Sequence, residues 1–259
     1  MNYNFDELEA FANHLSDESA KIIRKYFRKS FHVDNKEDES PVTIADKSAE
    51  LKIRNLILDK YPSHGILGEE FEGKDIHSEY LWVIDPIDGT RSFIAGHKDF
   101  GTLISLLHNN KPIIGIINCP MHKERWVGVD GQQTTMNNQK VSTSSKESLN
   151  KCYLSTTGLY MFENDKFKKG FEKIIDKTMY HRFGGDCYNY GMIASGYIEI
   201  VIENMLKAHD YMALIPVIEG AGGKITDKYG KKINLNSDGS VVVSANKKIH
   251  TQIIDIINI

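Results

Sequence analysis

Apolar positions recur at helical spacing along residues 5–28, where Leu8, Phe11, Ala12, Leu15, Ile22, Ile23 and Tyr26 tend to one face. Acids gather early in this stretch and Lys21, Arg24, Lys25, Arg28 and Lys29 come late. That order complements the helix dipole and accounts for the basic end without a binding patch. A polar run, residues 34–40, predicts a flexible loop. A second helix is expected from Asp46, acting as N-cap, through Ala49, Leu51, Ile53, Leu56, Ile57 and Leu58. The pattern then shortens to strand-like runs at Ile66-Leu67 and at residues 81–85, 100–107, 112–118, 125–129 and 152–155. With Asn109-Asn110-Lys111 as a hairpin turn, these predict a largely antiparallel sheet. From residue 165 helices (165–177, 187–195, 210–220 and from Lys247) alternate with strands (near 179–182, 198–203, 224–226 and 241–244), which predicts an α/β layer. No repeat, low-complexity tract or clear linker interrupts the chain. The expectation is one unit, residues 1–259, built from an α+β half (1–150) and an α/β half (151–259).

Composition narrows the function classes. With 259 residues, 41% of them hydrophobic, the chain can bury a large core. Its net charge of −3, with acids and bases mixed and no basic block, speaks against nucleic acid or an anionic membrane surface as partner. Apolar runs fall far short of a membrane span, and residues 1–9 lack the basic-then-apolar order of a secretory signal, so a cytoplasmic enzyme is expected. Cys119, Cys152 and Cys187 are widely spaced, which argues against a disulfide framework or a structural zinc site and predicts reduced, partly buried packing residues. Among the histidines, His14, His32 and His250 read as surface residues, whereas His209 adjoins a candidate ligand.

The informative chemistry lies at strand ends. Leu81-Trp82-Val83-Ile84 stops at Asp85-Pro86-Ile87-Asp88, and a turn preset by Pro86 would let Asp85 and Asp88 converge. Two carboxylates and a peptide carbonyl suit a hard cation such as Mg²⁺. Gly89 and Thr90 follow, and the free amides of a turn or helix start there favour an anion beside the metal. The same residues are ordinary turn formers, so a plain strand-terminating turn is the competing reading. Weighing against it, Gly68-Glu69-Glu70 presents acids at a second strand end. His209-Asp210 follows the run 198–203 and opens a helix, where Asp210 could act as N-cap or as metal ligand, two roles that compete for the same oxygens.

In this order the motifs resemble those of the inositol monophosphatase superfamily of Mg²⁺-dependent, lithium-sensitive phosphatases. Gly68-Glu69-Glu70 is similar to its first metal motif, residues 82–90 to its second, and Asp210 through Gly220-Ala221-Gly222-Gly223 to its third. Pro41-Val42-Thr43-Ile44-Ala45-Asp46 resembles the element that carries an acid near the attacking water. The third motif usually has Trp before its Asp, whereas His209 stands here. Residues 90–96, 182–190 and 206–211 lean toward the histidinol-phosphate phosphatase branch.

The resemblance implies an α/β (α+β) fold, an α-β-α-β-α layered sandwich with the site between its halves, and a homodimer. It implies that Glu69, Asp85, Asp88, Asp210 and the carbonyl of Ile87 hold two or three Mg²⁺ ions. Thr90 and Asp46 would orient the attacking water, Gly89 and Thr90 would hold phosphate oxygens, and Glu70 would support the metal shell from outside. Arg91, Gly185, Asp186 and Glu203 would meet the rest of the substrate. Histidinol phosphate carries cationic groups that Asp186 and Glu203 could pair, although Asp186 could equally cap the helix at 187–195. Inositol 1-phosphate, a nucleotide such as 3′-phosphoadenosine 5′-phosphate and a non-catalytic role on the same fold are the rival readings. The last would be expected to lack one of these acids.

Overall fold

Neighbouring residues of the long strand Tyr80–Asp88 enter two different cores: Leu81 and Val83 pack into one, Trp82 and Ile84 into the other. A strand alternates its side chains between faces, so an unbroken apolar run signals a sheet covered on both sides. The computed structural model describes residues 4–30, 33–35, 41–162 and 165–258. Helices α1 (Phe5–Tyr26) and α2 (Ile44–Lys60) flank the short pair β1 (Val33–Asn35) and β2 (Pro41–Thr43). A seven-stranded sheet follows: β3 (Gly65–Gly68), β4 (Tyr80–Asp88), β5 (Gly101–His108), β6 (Lys111–Cys119), β7 (Glu124–Val129), β8 (Thr135–Met136) and β9 (Gln139–Lys140), in that spatial order. It is antiparallel apart from β3 against β4. Helix α3 (Thr90–Ile94) leaves the end of β4.

The second sheet runs β11 (Tyr180–Phe183), β10 (Tyr153–Thr156), β12 (Ile200–Glu203), β14 (Val241–Ser244), β13 (Lys224–Thr226). Its helices are α4 (Asp165–Lys177), α5 (Tyr188–Ala194), α6 (Ala208–Tyr211), α7 (Leu214–Gly220) and α8 (Lys247–Asn258). Three cores make the layers explicit. Leu8, Phe11, Ile53 and Ile57 of α1 and α2 cover one face of the first sheet. Its other face shares a core with Ile193, Leu214, Val217 and the inner residues Val201, Val241 and Val243 of the second sheet. Phe167, Phe171, Ile249 and Ile253 of α4 and α8 close the far side. The order is the expected α-β-α-β-α sandwich.

Two glycines set the spacing of the central layer. A Cβ on Gly115 would lie 2.1 Å from the carbonyl oxygen of Ala213, and one on Gly128 would lie 2.3 Å from the carbonyl carbon of Pro216, so α7 can rest directly on β6 and β7. The expected helix over 210–220 is two helices. Pro216 has no N–H to bond the carbonyl of Met212; the Ser105 hydroxyl, which donates to the Ile114 carbonyl at 3.0 Å, also lies 3.4 Å from that oxygen.

Other expectations are corrected as well. The first helix ends at Tyr26 because Arg28 takes a left-handed φ of 56°, from which its guanidinium donates to the Gly96 carbonyl. His250 is buried, donating to or accepting from Thr226 Oγ1 and Ser244 Oγ at 2.8 and 2.9 Å; burial lowers its pKa to about 4 and keeps it neutral. The three free cysteines are fully buried rather than partly so. Asp34 and Asn35, at the start of the loop expected over 34–40, belong instead to the strand Val33–Asn35; His32 and residues 36–40 lie outside the described residues. Asn109 and Asn110, with φ of 49° and 63°, form the expected hairpin turn. Among the described residues no helix is long and apolar enough to cross a membrane.

Candidate active site

A β-bulge between Asp85 and Asp88 breaks the pairing of β4 with β5, and the extra length lets both side chains leave the sheet rim together. The turn is pinned locally: Ile87 N–H donates to Asp85 Oδ1 at 2.9 Å and the Thr102 hydroxyl to the Pro86 carbonyl at 2.9 Å. From the central layer, where it packs on β4, α6 delivers Asp210. Oxygens of Asp85, Asp88 and Asp210 lie within 4.8 Å of one another. Glu69 stands against Asp85, close enough to share a hydrogen bond with it. Asp210 is the third residue of its helix rather than the N-cap, and its Oδ2 accepts from Lys207 N–H at 2.6 Å.

Burial pushes the Asp85 pKa well above the usual carboxylate range, and Glu69, Asp88 and Asp210 push it further. Burial does the same for Asp88, reinforced by Asp186, Asp210 and Glu203, and raises Asp210. Two like charges 4 Å apart cost about 4 kcal/mol at an effective dielectric of 20. This is a donor set of hard oxygens in search of positive charge, which fits a divalent cation such as Mg²⁺.

Helix α2 supplies the next shell. Thr43, not Asp46, is the N-cap, and Asp46 sits three residues in. Thr43 N–H and Oγ1 both donate to Asp46 Oδ2, at 2.8 and 2.5 Å, while Ala45 N–H donates to Thr43 Oγ1, which closes a capping box. Asp46 Oδ1 is left to face Thr90 Oγ1 at 3.2 Å, and the same hydroxyl lies 3.1 Å from the Ile87 carbonyl. That carbonyl therefore points at Thr90. Gly89, at φ 89°, precedes Thr90 and packs against Asp186, whose carboxylate a Cβ would meet at 2.8 Å.

The cluster opens into a cleft of about 490 Å³ whose walls include Glu69, Asp88, Gly89, Thr90, Arg91, Asp186, Glu203, His209 and Asp210. Asp186 does not cap the following helix. It has a left-handed φ of 42°, and its Oδ2 accepts from the Ser92 hydroxyl at 2.5 Å. Glu203 accepts from Thr157 N–H, Thr157 Oγ1 and Tyr190 Oη at 2.9, 2.6 and 2.7 Å, and burial pushes its pKa up to about 7. Gly184 rather than Gly185 lines the cleft; Gly185, at φ 118°, makes the turn that seats Asn189. Glu70 is not among the cleft-lining residues.

One pair was not evident in the sequence. Glu50 and Arg54, one turn apart on α2, are buried and ion-paired at 2.7 Å; Glu50 Oε2 accepts from Glu70 N–H at 2.8 Å and Arg54 donates to the Phe71 carbonyl at 2.9 Å. They hold the loop that carries Glu69. The available signal was a glutamate followed four residues later by an arginine on an otherwise apolar face. A second was Gly68, where a Cβ would strike the Glu50 carboxylate at 2.0 Å.

A sequence model of the inositol monophosphatase family matches residues 4–259, the whole span of the two sheets and the acidic cleft. The chain belongs to the inositol monophosphatase family. Its relatives include the bifunctional phosphatase IMPL2, chloroplastic, of Arabidopsis thaliana, 44% identical over 96% of this chain and 75% of that one. A histidinol-phosphatase of Chlorobaculum parvum is 34% identical over 93% of this chain and 92% of its own. A solved inositol monophosphatase from Zymomonas mobilis superposes with a TM-score of 0.90, at 39% identity and full coverage of both chains. Like other members of the family, the chain is a metal-dependent phosphatase of the layered α/β type.

Proposed function

We propose that this family member hydrolyses histidinol phosphate to histidinol and phosphate, with Glu69, Asp85, Asp88, Asp210 and the Ile87 carbonyl as its Mg²⁺ ligands. The observation that carries the reading is the pair of acids, Asp186 and Glu203, that line the same cleft as the metal cluster and Thr90, chemistry suited to a cationic leaving group. The relatives named histidinol-phosphatase support it.

Bound Mg²⁺, two or three ions, supplies Lewis-acid chemistry and the positive charge that the carboxylate cluster lacks. Thr90 Oγ1 donates to Asp46 Oδ1 and offers a lone pair to the attacking water, orienting it for in-line attack. The proton lost by the water is drawn toward the Asp46 carboxylate, whose pKa burial has raised. Amides of Gly89 and Thr90, at the first turn of α3, hold phosphate oxygens. Arg91, beside Thr90, and the turn of Gly184 and Gly185 that carries Asp186 meet the rest of the substrate, and Glu70 backs the loop of Glu69.

A second reading, inositol 1-phosphate, is favoured by one feature: at a pKa of about 7, Glu203 can serve a neutral hydroxyl as either donor or acceptor. Phosphate release from both esters, with Mg²⁺, with EDTA and for Asp88→Asn, separates the readings. Preference for histidinol phosphate, lost with EDTA and in the variant, is expected. Preference for inositol 1-phosphate would replace the substrate, and EDTA-resistant release would sink the metal set. The same reading includes inhibition by lithium, a reducing compartment such as the cytoplasm for the three thiols, and one functional unit formed by halves 1–150 and 151–259. It also includes a homodimer, supported by the exposed Met179, Tyr180 and Phe183 at the edge of the second sheet. Light scattering that returned a monomer mass would remove that element.

A further inference from the structure

The turn Leu159–Met161 follows β10 and carries Tyr160 to the mouth of the cleft. The ring is half-exposed, yet it is held in place. Gly158 lies beneath it, where a Cβ would come within 2.4 Å of the ring, so the absence of a side chain there lets the tyrosine fold back over its own backbone. The Arg91 guanidinium lies 5.0 Å from the ring centroid. A planar, delocalised cation therefore already sits on this ring.

Position gives the contact a use. Arg91 adjoins Thr90, at the phosphate end. Burial raises the Tyr160 pKa; Arg91 lowers it, while Asp186 and Glu203 raise it, so the hydroxyl stands in the field of the leaving-group acids as well. No local folding need explains the ring, because it fills no core and remains about half in solvent.

We propose that Tyr160 is a specificity-determining residue whose ring, together with Asp186 and Glu203, recognises a planar cationic leaving group. An aromatic face attracts a cation through its quadrupole, and the Asp186 carboxylate, joined by Glu203 where it is ionised, supplies opposing charge; a neutral polyol gains from neither. The inference rests on the histidinol phosphate reading and extends it to a residue outside the family motifs quoted above.

The test compares wild type, Tyr160→Ala and Tyr160→Phe on histidinol phosphate and inositol 1-phosphate. Histidinol and inositol serve as competitive inhibitors, which report binding without turnover. In Tyr160→Ala, KM for histidinol phosphate and Ki for histidinol should both rise about tenfold, as expected for loss of a partly desolvated cation–π contact. The KM for inositol 1-phosphate should change less than about threefold, and Tyr160→Phe should stay near wild type. Equal changes on both esters, or none on histidinol phosphate, would overturn the proposal. If Tyr160→Ala fails to fold, Tyr160→Leu keeps apolar bulk without the π face and should show the same split. A wild-type preference for inositol 1-phosphate would overturn the substrate reading alone, and the histidinol inhibition constants would then decide the role of Tyr160.

Discussion

The backbone N–H of Cys187 donates to Asp88 Oδ2 at 2.6 Å, joining residues 99 positions apart in the chain. It ties the start of α5, in the second half, to an acid that leaves the first sheet. The Cys187 thiol in turn contacts Cys119, and Gly101, which pairs with Asp88 across β4 and β5, leaves room for both sulfurs.

Gly101→Ala would place a Cβ 2.8 Å from the Asn118 carbonyl and 2.9 Å from the Cys187 sulfur. Overpacking of this kind costs about 1–3 kcal/mol. Urea denaturation should register that loss, and the Mg²⁺ concentration for half-maximal activity should rise as Cys187 shifts. Loss of stability with unchanged Mg²⁺ dependence would mean that the Cys187 amide does not set the position of Asp88.

Metal-free protein should lose stability as pH rises. Glu203 has a folded-state pKa of about 7, above its ordinary value of 4.5, so the folded state binds the extra proton between these values. Its contribution is complete below pH 4.5 and lost by about pH 7, an upper figure of roughly 3 kcal/mol. Asp85 and Asp88, also raised, act in the same direction. Thermal melts in EDTA should therefore fall across this window, and Glu203→Gln should flatten the decline. Saturating Mg²⁺, at about 100 times its Kd, should restore roughly 2.7 kcal/mol by mass action. A pH-independent melt would contradict the burial argument.

Glu50→Ala should be far more damaging than its distance from the chemistry suggests. It strands the buried Arg54 guanidinium and releases the Glu70 amide, a class of change that costs about 3–5 kcal/mol. Glu50→Gln, which keeps an acceptor for Glu70 N–H, should lose less stability yet still weaken Mg²⁺ dependence by loosening the Glu69 loop. Identical melts for Glu50→Ala and wild type would remove this pair from the account.

Asp46→Asn tests the link between a helix cap and the proposed water-orienting role. The capping geometry can largely persist, so stability should fall by only about 1 kcal/mol. Turnover should drop by at least about 100-fold, because the carboxylate that draws the proton through Thr90 is gone. A variant with near wild-type kcat would leave Asp46 as a cap alone.

Much of the fold was legible in the chain. The helices at 165–177 and from Lys247 and the strands at 224–226 and 241–244 coincide with their periodicity, since each has a sharp apolar pattern and flanking breakers. The split at Pro216 and the burial of His250 were less so. One depends on a carbonyl that finds a serine 107 residues away, the other on two hydroxyls from different strands.

The same division holds at the cleft. Asp85 and Asp88 are near neighbours, and a bulge in one strand is enough to bring them together, so a carboxylate pair beside Gly89 and Thr90 was readable from the chain alone. The unbroken apolar run 81–84 likewise marks a buried strand, which the structure covers on both faces. The packing of the layers was needed to show that Asp210 completes the cluster, that Glu50 and Arg54 anchor the loop of Glu69, and that Tyr160, Asp186 and Glu203 line one cleft. These side chains come from distant elements, and their meeting depends on the layer spacing set by contacts such as Gly115 against Ala213, which no local pattern encodes.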